Sequence, residues 1–314
     1  MTNKSAASIR DRLLNLAKKR KENFDFVLNQ YAIQRLLYRL SISEYRDQFL
    51  LKGAWLFSIW TEESHRPTRD ADFLGFCNNE VEALVEIFRS ICSVQDDDGL
   101  EFATDTINGV EIKEDAIYQG VRIKGYAYLA GAKISIQIDV AYGDVVTPGA
   151  ETAEMPVYLD MPAPKLNVYP VYTVISEKFQ AMVALGLANS RMKDFYDIWR
   201  VSQMMELNGD LMAQAIGATF KRRNTKLEGD KLYIFSDEFR RDDSKQKQWQ
   251  AFFIKNGLDM TVKFHEVMEQ LEYFLGPVAR AALENANLYK TWSPYKEEWI
   301  VEENNNRVSS KVQI

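Results

Sequence analysis

Two carboxylates one residue apart, Asp70 and Asp72, stand in the segment Arg66-Pro67-Thr68-Arg69-Asp70-Ala71-Asp72-Phe73-Leu74-Gly75-Phe76. The segment reads as a β-strand. Strand side chains alternate between faces, so both carboxylates point to one side of a sheet. Like charges held that close repel, and a divalent cation between them is the simplest relief. Upstream, the apolar run Phe49-Leu50-Leu51-Lys52 ends on Gly53 and Ala54. There a short strand is expected to turn into an amphipathic helix reaching Trp60. A small-residue turn that lets backbone approach phosphate, followed by a paired-carboxylate strand, is what metal-assisted phosphoryl chemistry requires. Taken singly, an Asp-x-Asp strand is more often a solvated edge and a Gly more often a plain turn. Their order along the chain is what points to chemistry.

A third carboxylate follows from periodicity. In Lys133-Ile-Ser-Ile-Gln-Ile-Asp139-Val140 the residues Ile134, Ile136, Ile138 and Val140 take one face of a strand, and Asp139 ends the other, polar face. If this strand lies beside Asp70 and Asp72, three carboxylates converge. Asp144 in Tyr142-Gly143-Asp144 reads as a turn residue. A second constellation lies further on. It comprises Glu177-Lys178, expected in the first turn of a helix, and Ser190-Arg191-Met192-Lys193-Asp194-Phe195-Tyr196-Asp197. Ser190 is the expected N-cap. Arg191 and Lys193 then sit where the helix dipole disfavours cations, a placement that suits a bound anion. The plainer reading is a surface salt-bridge cluster with Lys193 paired to Asp197, worth little to stability.

The chain that must position these groups has 314 residues, enough for about two domains. Its apolar fraction of 46% is that of an ordinary folded protein. No apolar run is long enough to cross a bilayer, and the N-terminus lacks a secretory segment. Cys77 and Cys92 are the two cysteines, so a disulfide framework or cysteine-rich zinc site is unsupported. The expected compartment is the cytoplasm, with no membrane contact. A formal charge of −6 excludes a general nucleic-acid coat. It leaves RNA open as a substrate steered by a local patch, for which Lys18-Lys19-Arg20-Lys21 and Lys221-Arg222-Arg223 are candidates. A hydrolase finds no support: there is no Gly-x-Ser-x-Gly elbow, and His65 and His265 are far apart in sequence.

Taken in order, helices are expected from about Ser8, as N-cap, to Leu40. The second of them carries Arg35 and Arg39 one turn apart, as surface arginines or as ligands for an acidic partner or phosphate. An amphipathic helix covers Glu80 to Ser93. The acidic run Asp96-Asp97-Asp98 lacks calcium-loop spacing and reads as a solvated loop. Strands fill Leu100 to about Val146. The proline-rich segment Met155 to Tyr172 is the expected domain boundary. Helices then follow over about Val174–Gly186, Arg191–Glu206, Leu211–Thr219, Ser244–Lys255 and Met260–Glu284. The polar tail from Val301 to Ile314 is expected to be poorly ordered.

Lys52-Gly53-Ala54, Arg66 to Asp72, Asp139, Lys178 and Arg191-Met-Lys193-Asp194-x-x-Asp197 together resemble the AbiEii family, over nearly the whole chain. Asn29 to Ser41 and Gln246-Lys-Gln-Trp249-Gln-Ala-Phe252 add to the likeness. These are nucleotidyltransferase toxins of abortive-infection toxin–antitoxin systems, with the MenT toxins among them. The resemblance implies an α+β fold: a polymerase-β-type nucleotidyltransferase core, with a mixed sheet and flanking helices, over residues 1–160, then a mainly helical C-terminal domain over 161–314. It implies NMP transfer from an NTP to an acceptor, the tRNA 3′ end by likeness to MenT, with a transcriptional regulator as cognate antitoxin. Carried over, Gly53 and Ala54 would cradle the triphosphate, and Asp70 and Asp72 would hold Mg2+. Lys178 would contact the nucleotide phosphates, and Arg191, Lys193 and Asp194 would complete a later motif. Asp139, inferred from strand alternation and superfamily logic, would be a third metal ligand, sharing a second ion, or a base. Ala54 departs from the Ser or Gly of many members, which keeps backbone donors and removes a hydroxyl. Two alternatives stay open: NMP transfer to a protein side chain, and a nucleotide-binding module without catalysis.

Overall fold

The computed structural model describes residues 5–61, 66–115, 118–227, 232–260 and 262–301, so His65 and the tail beyond Val301 lie outside the described residues. The chain divides into two compact units, Met1–Asp144 with Gly149–Pro170, and Val145–Pro148 with Val171–Ile314.

The first unit is built on a seven-stranded mixed sheet. Its elements are α1 (Ala6–Arg20), α2 (Phe24–Ser41), β1 (Phe49–Lys52), α3 (Phe57–Trp60), β2 (Ala71–Gly75), α4 (Val81–Ser93), β3 (Leu100–Asp115), β4 (Tyr118–Leu129), β5 (Ala132–Tyr142), β6 (Glu151–Glu154) and β7 (Lys165–Val168). The strand order is β3-β4-β5-β2-β1-β7-β6. β2 runs parallel to β5 and β1 parallel to β7, and the other pairs are antiparallel. As periodicity indicates, Ile134, Ile136, Ile138 and Val140 are buried. The α1 cap is Ser5, which accepts from the Ser8 N–H, three residues earlier than the expected cap. Gly53 does not lead into an amphipathic helix. It opens a 3-10 turn, Gly53–Leu56, followed by the four residues of α3.

Helix α2 is buried along most of its length, its polar residues Asn29, Gln30 and Gln34 included. Its two arginines are fully enclosed rather than on the surface. Arg35 pairs with Asp96 at 2.5 Å and with Asp98 at 3.1 Å, and Arg39 pairs with Asp98 at 2.5 Å. The acidic run is therefore not a solvated loop. Asp97 is exposed, but Asp98 has no exposure and also accepts the Leu100 N–H at 3.0 Å. The acid-rich partner of α2 is this chain's own loop. Such buried pairs fix geometry more than they add stability, yet loss of one partner typically costs about 3–5 kcal/mol.

The second unit holds α5 (Val171–Leu185), α6 (Met192–Met204), α7 (Gly209–Arg222), α8 (Asp237–Arg240), α9 (Asp243–Asn256) and α10 (Phe264–Glu284). A small sheet of β8 (Leu207–Asn208), β9 (Lys290–Ser293) and β10 (Glu298–Val301), in the order β10-β9-β8, accompanies them. Periodicity does not reveal these strands, because segments of two to four residues are too short to show a period. An aromatic core holds the helices together. Trp249 stacks on Phe252, meets Phe253 and Phe264 and donates its indole N–H to the Val262 carbonyl. Among the described residues no helix is long and apolar enough to cross a membrane. The α+β class expected from the sequence is the class observed.

Candidate active site

The first unit brings three of the expected carboxylates together. Ligand oxygens of Asp70, Asp72 and Asp139 all lie within 4.8 Å of one another. Register explains the convergence: Asp72 on β2 pairs directly with Asp139 on the parallel strand β5. The alternate residues Ala71 and Phe73 are buried. Asp70 precedes the first residue of β2 and is held from both ends. Its side chain accepts the Thr68 hydroxyl at 2.6 Å, and its carbonyl accepts the Trp55 indole N–H at 2.9 Å. The Thr68 carbonyl in turn accepts the Gln30 amide from α2 at 2.6 Å.

Three charged neighbours surround the carboxylates, and of these the sequence offers no sign of Arg122. Arg122 on β4 pairs in register with Asp139 and donates from Nε and Nη2 to its two oxygens, at 2.8 and 2.6 Å. This hydrogen-bonded pair raises the Arg122 guanidinium above its ordinary value against the opposing effect of burial, and Asp70 and Asp72 add to the rise. Lys52 on β1 pairs in register with Asp72, and its ammonium lies 3.2 Å from Asp144. Asp144 is thus a nearly enclosed ion-pair partner, not a simple turn residue. In sequence, Arg122 is one more polar position of an alternating strand. Only the register of β4 on β5 shows what it faces.

Gly53 and Ala54 adjoin this cluster. Gly53 has φ +77°, and a Cβ built on it would collide with the Asp72 carboxylate. The glycine is required here by both the left-handed backbone and the close approach of Asp72. Gly53→Ala is expected to cost about 1–3 kcal/mol of stability and to displace Asp72, lowering the melting temperature and activity together. A variant that melts and reacts like wild type would show that the turn relaxes without moving the carboxylate. Ala54 is buried.

The second unit gathers the other predicted residues. Lys178 lies in the interior of α5, not its first turn, because that helix begins at Val171. Its ammonium is 2.8 Å from Asp194 and 2.9 Å from Asp197, both fully buried. Arg191 Nε donates to Asp194 at 2.8 Å. Asp197 is therefore held by Lys178 rather than Lys193, which is exposed. Helix α6 is entered through Arg191, with Ser190 one position too early to cap it. The fixing side chain is Asn189, whose carbonyl accepts the Arg191 N–H at 2.7 Å. Lys245 on α9 is itself buried and donates to the Leu187 and Asn189 carbonyls, which ties down this loop. The cluster is an enclosed network, not the surface salt bridge of the plainer reading.

Burial acts to raise the Asp194 carboxyl, but the charges of Lys178 and Arg191 and the Lys178 hydrogen bond outweigh it and hold the group below the usual carboxylate range. Its folded value thus lies below the unfolded one, about 3.9. The resulting stabilisation is present above that pH and lost as pH falls through the folded value. Melting temperature is expected to drop steeply below about pH 4, with a shallower slope in Asp194→Asn. Equal slopes would contradict this.

No curated protein matches the sequence. Among solved structures, JHP933 from Helicobacter pylori is 14% identical with a TM-score of 0.45, covering 82% of this chain and 92% of that one. Another solved structure, of a proposed nucleotidyltransferase from H. pylori, is 13% identical with a TM-score of 0.43, covering 82% of this chain and 95% of that one. Likenesses this distant carry no residue roles. Residues 35–272 match the family model described as nucleotidyl transferase AbiEii toxin, type IV toxin–antitoxin system. The match takes in the Asp70–Asp72 strand, Arg122, Asp139 and the Lys178–Asp194 network. The chain belongs to the AbiEii family of nucleotidyltransferase toxins.

Proposed function

We propose that this nucleotidyltransferase moves an NMP from an NTP to the 3′ end of an RNA, with tRNA as the acceptor, and that Asp70, Asp72 and Asp139 hold the divalent metal. The observation that carries the reading is the three-carboxylate group within 4.8 Å on adjoining strands. Its donors are all oxygens, which suits a hard cation such as Mg2+. Each Asp139 oxygen that accepts from Arg122 keeps a second lone pair, so the pair does not exclude ligation. Bound there, the cation would supply charge neutralisation at the α-phosphate and the leaving pyrophosphate.

The chain's own groups do the rest. Asp70 is fixed by Thr68 and Trp55, so a ligand oxygen is in place before substrate arrives. Gly53 gives room to Asp72, and the backbone of Gly53–Ala54 lies beside the triphosphate. In the second unit Asp194 and Asp197 fix the Lys178 ammonium, and Lys178, Arg191 and Lys193 are proposed to bind phosphate. The acceptor hydroxyl gives its proton to solvent as its oxygen bonds to the α-phosphorus, the bond from the α-phosphorus to the bridging oxygen breaks, and pyrophosphate leaves. The family implies an antitoxin encoded with the toxin, and a transcriptional regulator is the proposed one.

The acceptor is tested by incubating the enzyme with each α-labelled NTP, total tRNA and cell lysate. Label is expected in RNA and is removed by ribonuclease. Label resistant to ribonuclease and sensitive to protease would replace the RNA acceptor with a protein side chain.

A further inference from the structure

Across the sheet of the first unit, register puts four charged residues in one row. Lys52 on β1 lies opposite Asp72 on β2, Asp72 beside Asp139 on β5, and Asp139 opposite Arg122 on β4. Paired residues on neighbouring strands share a face, so the row runs cation, anion, anion, cation. Lys52 has its ammonium on Asp144. Arg122 grips both oxygens of Asp139 in a two-pronged pair, at 2.8 and 2.6 Å. Such a fork fixes the plane of the carboxylate as well as compensating its charge. Arg122 is about one-third exposed and Asp139 about one-tenth, so water screens the pair only in part. A positive charge therefore adjoins Asp139 within the three-carboxylate group.

We propose that Arg122 is a positioning residue that sets the metal occupancy of the site. Paired with Asp139, it limits the nucleotide-free enzyme to one divalent ion among Asp70, Asp72 and Asp139, and keeps Asp139 oriented and electrically compensated. The inference rests on the reading of these carboxylates as metal ligands. Removing the charge and fork of Arg122 exposes a second, adjacent site made of Asp72 and Asp139. Keeping the charge preserves the restriction.

The test is a Mn2+ titration of the full chain without nucleotide, with free ion followed by electron paramagnetic resonance. Wild type is expected to bind one ion. Arg122→Gln is expected to bind two, with the added ion at least about tenfold tighter than any second binding in wild type. Arg122→Lys should stay at one. Arg122→Gln combined with Asp139→Asn should return to one, which separates a local effect from a loosened fold. Circular dichroism establishes that each variant is folded. A folded Arg122→Gln protein with wild-type stoichiometry and affinity overturns the role of Arg122 alone. So does a gain that Asp139→Asn fails to reverse. Absence of Mn2+ binding in wild type, unchanged in Asp72→Asn, overturns the metal reading and this inference with it.

Discussion

Asp72→Asn is expected to reduce nucleotidyl transfer by about 10³-fold or more without lowering the melting temperature. Asparagine has nearly the shape of aspartate and still fits over Gly53, where a Cβ could not. What it lacks is the charge that a divalent cation requires. Without metal, the wild-type protein pays for three carboxylates within 4.8 Å, and removal of one relieves repulsion. Activity and stability therefore move in different directions, which marks a site built for a ligand rather than for folding. Calorimetry and a transfer assay on the same sample decide it. A variant that melts several degrees lower and loses activity only in proportion to its unfolded fraction would make Asp72 a structural residue.

Lys178→Met is expected to do the reverse and unsettle the fold of the second unit. The ammonium lies between two carboxylates of no exposure, Asp194 at 2.8 Å and Asp197 at 2.9 Å. Removing the cation from a buried ion network costs about 3–5 kcal/mol, far more than the pair adds over an apolar isostere. At about 2–4 °C per kcal/mol for a unit of this size, the melting temperature should fall by roughly 10 °C. Lys178→Met with Asp194→Asn should recover part of the loss, because the second change removes one stranded charge. Unchanged melting in Lys178→Met would mean that the network is not coupled to folding. The lysine would then serve phosphate binding alone.

The two aspartates of the Asp-x-Asp strand were legible because a strand has a period of two, and Asp139 because four apolar residues fix the phase of β5. What sequence could not supply was register. Nothing in Arg122 marks it as the partner of Asp139 until β4 is aligned on β5, and nothing in Lys52 marks it as the neighbour of Asp72. The same limit hid the destination of Asp98. An acidic run with no ligand spacing looks solvated until α2 presents Arg35 and Arg39 to it. Helix ends were misplaced by one to three residues where caps compete. Ser5 rather than Ser8 caps α1, and Asn189 rather than Ser190 fixes the entry to α6. Nothing in the sequence marks Lys245 as buried, since composition cannot show that acceptors are waiting inside.

The most direct test of the central claim follows the two ends of the triphosphate separately. Enzyme, Mg2+ and total RNA are incubated with NTP labelled at the α-phosphate or at the γ-phosphate, with Asp72→Asn and a chelator-treated sample beside them. The account predicts that α-label enters the acceptor, that γ-label leaves as pyrophosphate, and that both events stop in the variant and without metal. Transfer of γ-label, or transfer of α-label that survives Asp72→Asn, would contradict it.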